Sequence, residues 1–379
     1  MTEKPSIKLF IDAHVFDNEH QGSRTFIKEL YNHLACRKDI EFYFGAFNVE
    51  ILKQNFPRLE NIHFIKYRFR KSILRLLFDI PSIIKQYGIG YAHFQYIVPL
   101  QKNCCFIVTT HDVLFNDFPK NFSFWYRFNK NLLYKNAAEK ADILTTVSEY
   151  SKATLQKYFK LKAERINVLP NGISDGYFSA YQKSEAINYI NNKFDCNKYL
   201  LYVSRIEPRK NHAGLLQVYL DLKLYKEEYH LVFIGHESIS CTKLNRLLHS
   251  LPSNVRRFIL FFDDVSEDDL IEFYKASAVF VYPSKAEGFG FPPLEAAALK
   301  VPVLCANNTA LNDYSFFDQN HIDISNQKLF KERLSNLIES PSVKSLEIIA
   351  QNIRQKYNWQ KTADTFYNLL KQHSLHDQL

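Results

Sequence analysis

The chain has 379 residues, 46% hydrophobic and 23% charged, which is too long for one ordinary core and too apolar for disorder. Its net charge of +8 lies entirely in residues 1–178, while residues 179–379 balance to zero. No apolar run reaches the roughly 18 residues of a membrane-spanning helix, and six cysteines without a C-x-x-C pair match neither a zinc site nor a redox dithiol.

Short β-branched or aromatic runs alternate with stretches of helical period, the pattern of right-handed βαβ units in a mostly parallel sheet. The opening MTEKPSIKLFID enters a strand directly, without the apolar core of a signal peptide. Strands are predicted at 7–12, 41–47, 62–67, 91–95, 106–110, 143–147 and 166–169, with helices at about 22–36, 71–87, 121–140 and 149–159. A fresh series follows Asn171-Gly172-Ile173, with strands at 199–204, 230–235, 258–262, 279–283 and 301–305. Two similar α/β domains in tandem result, 1–178 and 179–379, joined near 175–183 where Asn-Gly and Asp-Gly dipeptides break the pattern. An amphipathic segment at about 358–372 closes the chain as a helix able to pack back on the first domain. The cysteines are expected to be reduced, buried thiols of a cytoplasmic protein.

The richest stretch runs from Tyr282 to Ala298. A strand ends at Tyr282, a loop carries Gly288 and Gly290, and Pro292 and Pro293 stand where a helix begins. N–H groups at such a helix start attract phosphate oxygens. Glu287 and Glu295 flank the site as acceptors suited to sugar hydroxyls. The plainer alternative has Glu295 complementing the helix dipole and Glu287 as a solvated loop charge. A second strand ends at Ser204, and its loop brings Arg205 and Lys210 to the carboxyl edge of the sheet, with Asn211 placed to cap the next helix. A diphosphate would meet a guanidinium fork and a point charge there.

SRIEPRKN, EGFGFPPLE followed by AAALKVPVLCANNTALND, and the closing NWQKTADTFYNLL resemble the retaining glycosyltransferases of family 4. The resemblance covers nearly the whole chain, most strongly over 199–313 and at Asn171-Gly172-Ile173. It implies an α/β GT-B fold, two Rossmann-like domains with a cleft between them, the first for the acceptor and the second for a nucleotide sugar. Arg205 and Lys210 look like the donor-diphosphate pair, Glu295 the ribose ligand and Glu287 the donor-sugar ligand. The Gly288-Phe289-Gly290-Phe291 loop adds N–H groups to the donor site. His111, in Thr109-Thr110-His111-Asp112, resembles the family's active-site histidine, although a satisfied strand-end histidine is the bland alternative. Gly22-Ser23-Arg24 resembles a flexible loop near donor and acceptor, but His20-Gln21-Gly22 holds fewer glycines than is usual. Lys300 stands where a glycine is usual, which bears on the turn more than on the chemistry.

The expected reaction moves a hexose, with GDP-mannose as one donor candidate, onto a lipid-linked or oligosaccharide acceptor of a surface polysaccharide such as an O-antigen or lipopolysaccharide. No cofactor and no metal are expected, because no Asp-x-Asp is present and Ser266-Glu-Asp-Asp reads as a capped helix start. Residues 66–77 hold five cations among apolar side chains, and 120–130 hold three among five aromatics, compositions of an interfacial segment. They point to a peripheral position on an anionic membrane surface, the inner face of the plasma membrane, against the alternative of core-facing stripes. Nucleic acid is a poor partner, since no motif accompanies the charge. An epimerase of the same fold and a non-catalytic sugar-nucleotide-binding module remain the alternatives.

Overall fold

The computed structural model describes residues 7–17, 22–119 and 122–376. It divides into two units, Met1–Gly172 with Trp359–Leu379, and Ile173–Asn358. In the first, β1 (Ile7–Asp12), β2 (Ile40–Ala46), β3 (Ile62–Lys66), β4 (Tyr91–Gln95), β5 (Cys105–Thr109), β6 (Ile143–Thr146) and β7 (Ile166–Val168) form one sheet in the order β3-β2-β1-β4-β5-β6-β7. Every pairing is parallel. Crossover helices cover both faces of such a sheet, so its inner strands are buried along their whole length rather than at alternate residues. Every residue of β4 and β6 is buried.

The second unit repeats the plan. β8 (Tyr199–Val203), β9 (His230–Ile234), β10 (Ile259–Phe262), β11 (Val279–Tyr282), β12 (Val303–Ala306) and β13 (His321–Ile322) pair in the order β10-β9-β8-β11-β12-β13, all parallel. Strand order reverses between β8 and β11, the switch point at which open α/β sheets place ligands. Two-residue β13 has too little pattern to be read from sequence.

The division falls at Gly172 rather than at 178. Residues 173–178 belong with the second unit because buried Tyr177 packs on Tyr274, ring centroids 6.2 Å apart. The closing helix, Trp359–His376, belongs to the first unit. Its buried Trp359, Ala363, Phe366 and Leu370 repeat at helical spacing. Thr362 donates to the Pro170 carbonyl at 2.6 Å, and Tyr367 and Lys371 donate to Asp39 at 2.7 and 3.0 Å.

The helix predicted over 71–87 is broken into Ser72–Leu74, a π turn at Arg75–Asp79, and Ile80–Tyr87. Arg75 turns inward to lie 3.3 Å from buried Asp12, and Asp79 accepts the backbone N–H groups of Arg68 and Phe69 at 3.0 and 2.9 Å. Burial would raise the Asp12 carboxyl, but Arg75 and His14 hold it well below the usual range. Residues 66–77 are therefore not one amphipathic helix, because two of their five cations are spent on internal carboxylates.

The cysteines also depart from expectation: Cys196, Cys241 and Cys305 are buried, Cys104 and Cys105 are partly covered, and Cys36 is exposed. Among the described residues no helix is long and apolar enough to cross a membrane.

Candidate functional site

The loops that follow β8 and β11 lie side by side because those strands are neighbours. After β8, Pro208–Lys210 forms one tight turn before the helix His212–Asp221. Asn211 does not cap that helix as predicted. It sits in the left-handed region (φ 61°), its side chain lying over Gly214, where an added Cβ would come 2.5 Å from Oδ1. After β11 the chain passes through Glu287 and turns at Gly290 (φ +100°) into the helix Phe291–Ala298, with proline in its first turn. The Lys285 N–H donates to the Arg209 carbonyl at 2.9 Å and ties the loops together.

Glu287 is the centre of this junction. Only 6% exposed, it is no solvated loop charge. Its Oε1 accepts from Lys210 Nζ at 2.6 Å and from the Tyr282 hydroxyl at 2.9 Å, and its Oε2 faces Arg209 Nη1 at 3.3 Å. Its own N–H donates to Thr309 Oγ1 at 2.8 Å. Arg209 also reaches the Ala286 carbonyl and the Glu207 carboxylate. Burial pushes the Glu287 carboxyl up, but Lys210 and Arg209 outweigh it and hold it at about 2, so the group is ionised.

The other predicted residues are placed differently. Arg205 is exposed on the same loop, with no side-chain partner among the described residues. Glu295, half-buried in the second helical turn, accepts from the Tyr274 hydroxyl at 2.8 Å. Burial pushes its carboxyl up to about 7. Phe289 turns its ring into a cluster with Phe291, Tyr314 and Tyr357 (centroids 5.1, 6.2 and 5.7 Å), so the side chain is core. Tyr314 donates to the carbonyls of Phe289 and Gly290 at 2.8 and 3.2 Å, fixing the loop that also carries buried Gly288. Ser266 caps its helix through Asp269 N–H at 3.1 Å.

Two family models match in succession: Glycosyltransferase Family 4 over residues 21–176 and Glycosyl transferases group 1 over residues 183–356. The chain belongs to the group 1 glycosyltransferases. Among its relatives, O-antigen chain mannosyltransferase B of Escherichia coli is 33% identical over 46% of this chain and 45% of that protein. The serotype-specific mannosyltransferase WbdA of Escherichia coli is 25% identical over 59% and 28%, and O-antigen chain mannosyltransferase RfbU of Salmonella typhimurium 24% over 64% and 63%. The matched stretch thus spans less than two thirds of each of these relatives. Among solved structures, sucrose-phosphate synthase from Thermosynechococcus elongatus aligns with a TM-score of 0.76 at 16% identity, covering 98% of this chain and 100% of that one. HepE from Anabaena, solved with UDP and glucose, aligns at 0.72 and 14%, covering 97% and 100%. The shared architecture is GT-B, a pair of parallel-sheet α/β domains.

In the first unit of this group 1 glycosyltransferase, His111 follows β5 and is buried among Phe26 and Tyr96, centroids 5.2 and 5.4 Å away. Burial depresses it to about 3, so the ring is neutral. Its Nε2 lies 2.5 Å from Gln95 Oε1. An amide oxygen can only accept, so Nε2 carries the proton and Nδ1 keeps the lone pair. Gly22 is the first residue of the helix Gly22–Leu34, while His20 and Gln21 lie outside the described residues.

Sequence reasoning passed over Arg209, Glu207, Tyr282 and Gln95 as site residues. An acid and a base flanking one proline were the available sign for the first two. Nothing in the sequence marked the others, because their partners are 5 to 16 residues away on other segments.

Proposed function

We propose that this chain transfers a hexose, with mannose from GDP-mannose as the first candidate, from a nucleotide-diphosphate sugar to a growing, lipid-linked surface polysaccharide, with retention of configuration and without a metal. The observation that carries it is the buried Lys210–Glu287 pair, joined by Arg209, at the carboxyl edge of β8 and β11. The names of the relatives support mannose and O-antigen chains, and the HepE complex with UDP-glucose supports a nucleotide sugar.

Breaking the anomeric bond places growing negative charge on the diphosphate while the sugar becomes oxocarbenium-like. In this reading Lys210 and Arg205 receive that charge, each preorganised donor contributing on the order of 10²–10³ in rate. The acceptor hydroxyl attacks on the face the leaving group vacates and passes its proton to the departing phosphate oxygen. Among the described residues no three His, Cys, Asp or Glu side chains gather as a metal site. To test the reading, nucleotide sugars are screened for thermal stabilisation, and the best is incubated with lipid-linked acceptors with and without chelator. Stabilisation by no donor, or no glycosylated product, overturns it; inhibition by chelator that magnesium reverses overturns its metal-free part.

Glu295 makes donor binding pH-dependent. As an acceptor for the ribose diol it must be ionised, and with its carboxyl at about 7 that form is lost as pH falls through neutrality. Donor KM is expected to rise by up to about tenfold per unit below pH 7. KM measured from pH 5.5 to 8.5, for the wild type and Glu295→Gln, checks this: an unchanged profile in the variant refutes the assignment.

The membrane part of the reading rests on the helix Phe124–Lys140. Phe124, Trp125, Phe128 and Leu132 are exposed, Trp125 at 70%, and the helix carries Arg127, Lys130, Lys135 and Lys140 against one acid, Glu139. Apolar side chains at the acyl boundary and cations at anionic headgroups are what such a face supplies. The double variant Trp125→Ser with Phe128→Ser is expected to lower sedimentation with anionic vesicles about tenfold. Equal wild-type partitioning onto neutral and anionic vesicles removes the electrostatic contribution.

A further inference from the structure

We propose that Arg209 is a positioning residue of the donor site: its guanidinium holds Glu287 and Glu207 in place so that Lys210 can exchange Glu287 for the donor diphosphate. This rests on the donor-site reading above. Glu207, Arg209, Lys210 and Glu287 form one cluster of two acids and two bases, their side chains 9 to 15% exposed. The two cations are held differently. Arg209 is forked onto the Glu207 carboxylate, Glu287 Oε2 and the Ala286 carbonyl, so it is anchored on both loops. Among the described residues Lys210 has a single carboxylate partner, Glu287 Oε1, reached on a flexible four-carbon stem.

An incoming diphosphate brings about two negative charges and competes with Glu287 for the Lys210 ammonium. Lys210 can answer only if Glu287 keeps another cation, because a buried carboxylate stripped of its partner is strongly disfavoured. Arg209 is that cation, and its place on Oε2 leaves Oε1 as the position from which Lys210 departs. Tyr282, whose hydroxyl already donates to Oε1 at 2.9 Å, stays behind as a donor to the vacated oxygen. Without Arg209 the cluster carries two acids and one base. Lys210 is then pinned between Glu207 and Glu287, and the excess negative charge repels the donor.

The test uses the full chain, with GDP and UDP as calorimetric probes and donor KM and kcat as the kinetic readout. Arg209→Gln is expected to weaken binding of whichever nucleoside diphosphate the wild type takes, and to raise donor KM, by about tenfold or more. Adding Glu207→Gln to that variant removes the uncompensated charge and is expected to recover most of the loss. Arg209→Lys, which keeps the charge and loses the fork, should fall between wild type and Arg209→Gln. Thermal unfolding of each variant confirms that folded protein is compared. If Arg209→Gln stays within about threefold of wild type, or the double variant binds no better than Arg209→Gln, the proposal is overturned. A loss that Glu207→Gln cannot repair would instead mark Arg209 as a direct ligand or a purely structural clamp. Wild-type protein that binds neither GDP nor UDP overturns the donor-site reading itself, and the role of Arg209 with it.

Discussion

Replacing Lys210 with alanine is expected to lower the glycosyl transfer rate by about 10²–10³, with a parallel loss of nucleoside diphosphate affinity. The substitution removes the one buried cation of the cluster that is held by a single carboxylate and therefore free to meet a diphosphate. Folding should survive, because Glu287 keeps Arg209 at 3.3 Å, the Tyr282 hydroxyl at 2.9 Å and its own N–H bond to Thr309. Single-turnover transfer and calorimetry on the same preparation check it. Survival of both rate and affinity would remove Lys210 from the mechanism and leave exposed Arg205 as the remaining candidate.

Gly172→Ala is expected to destabilise the first unit by about 1–3 kcal/mol, and Gly172→Val by more, as overpacking against an immovable partner does. A Cβ at Gly172 would stand 2.3 Å from the Trp359 backbone nitrogen and 2.8 Å from its Cα, so backbone rather than a flexible side-chain tip must move. Trp359 is buried and begins the helix that packs Phe366 beside His93, ring centroids 5.4 Å apart. Thermal unfolding reads the effect at about 2–4 °C per kcal/mol, and amide exchange over 359–376 localises it. An unchanged melting temperature with unchanged exchange would mean that Gly172 does not set this junction.

The periodicity of the chain carried most of the architecture. Strand positions are legible within one or two residues because a parallel strand covered on both faces reads as a short, mostly apolar run, continuous in β8 and interrupted in β4 only by buried His93 and Gln95. Lys300 shows the same legibility at one residue. It stands where the family usually has glycine, and its backbone is left-handed, φ 57°, the region that glycine enters without strain. Where the reading failed, a long-range partner had overruled a local pattern. Residues 71–87 carry helical spacing, yet the pull of Asp12 on Arg75 and of Arg68 on Asp79 coincides with a π turn. Residues 173–178 look like the end of one domain, yet Tyr177 finds its aromatic partner in the other.

By itself, the sequence determined two α/β units, the loops that bear the chemistry, and the charge excess of the first half, since each follows from composition or from the spacing of near neighbours. Only the tertiary structure decided which charges are paired. It set exposed Arg205 apart from Arg209, brought Arg209 and Lys210 onto opposite oxygens of Glu287 across more than 70 residues of chain, and gave His111 its tautomer through Gln95. The physical reason is that a charge or a proton is placed by whatever lies within about 3 Å of it, and in a parallel sheet those neighbours come from other crossovers.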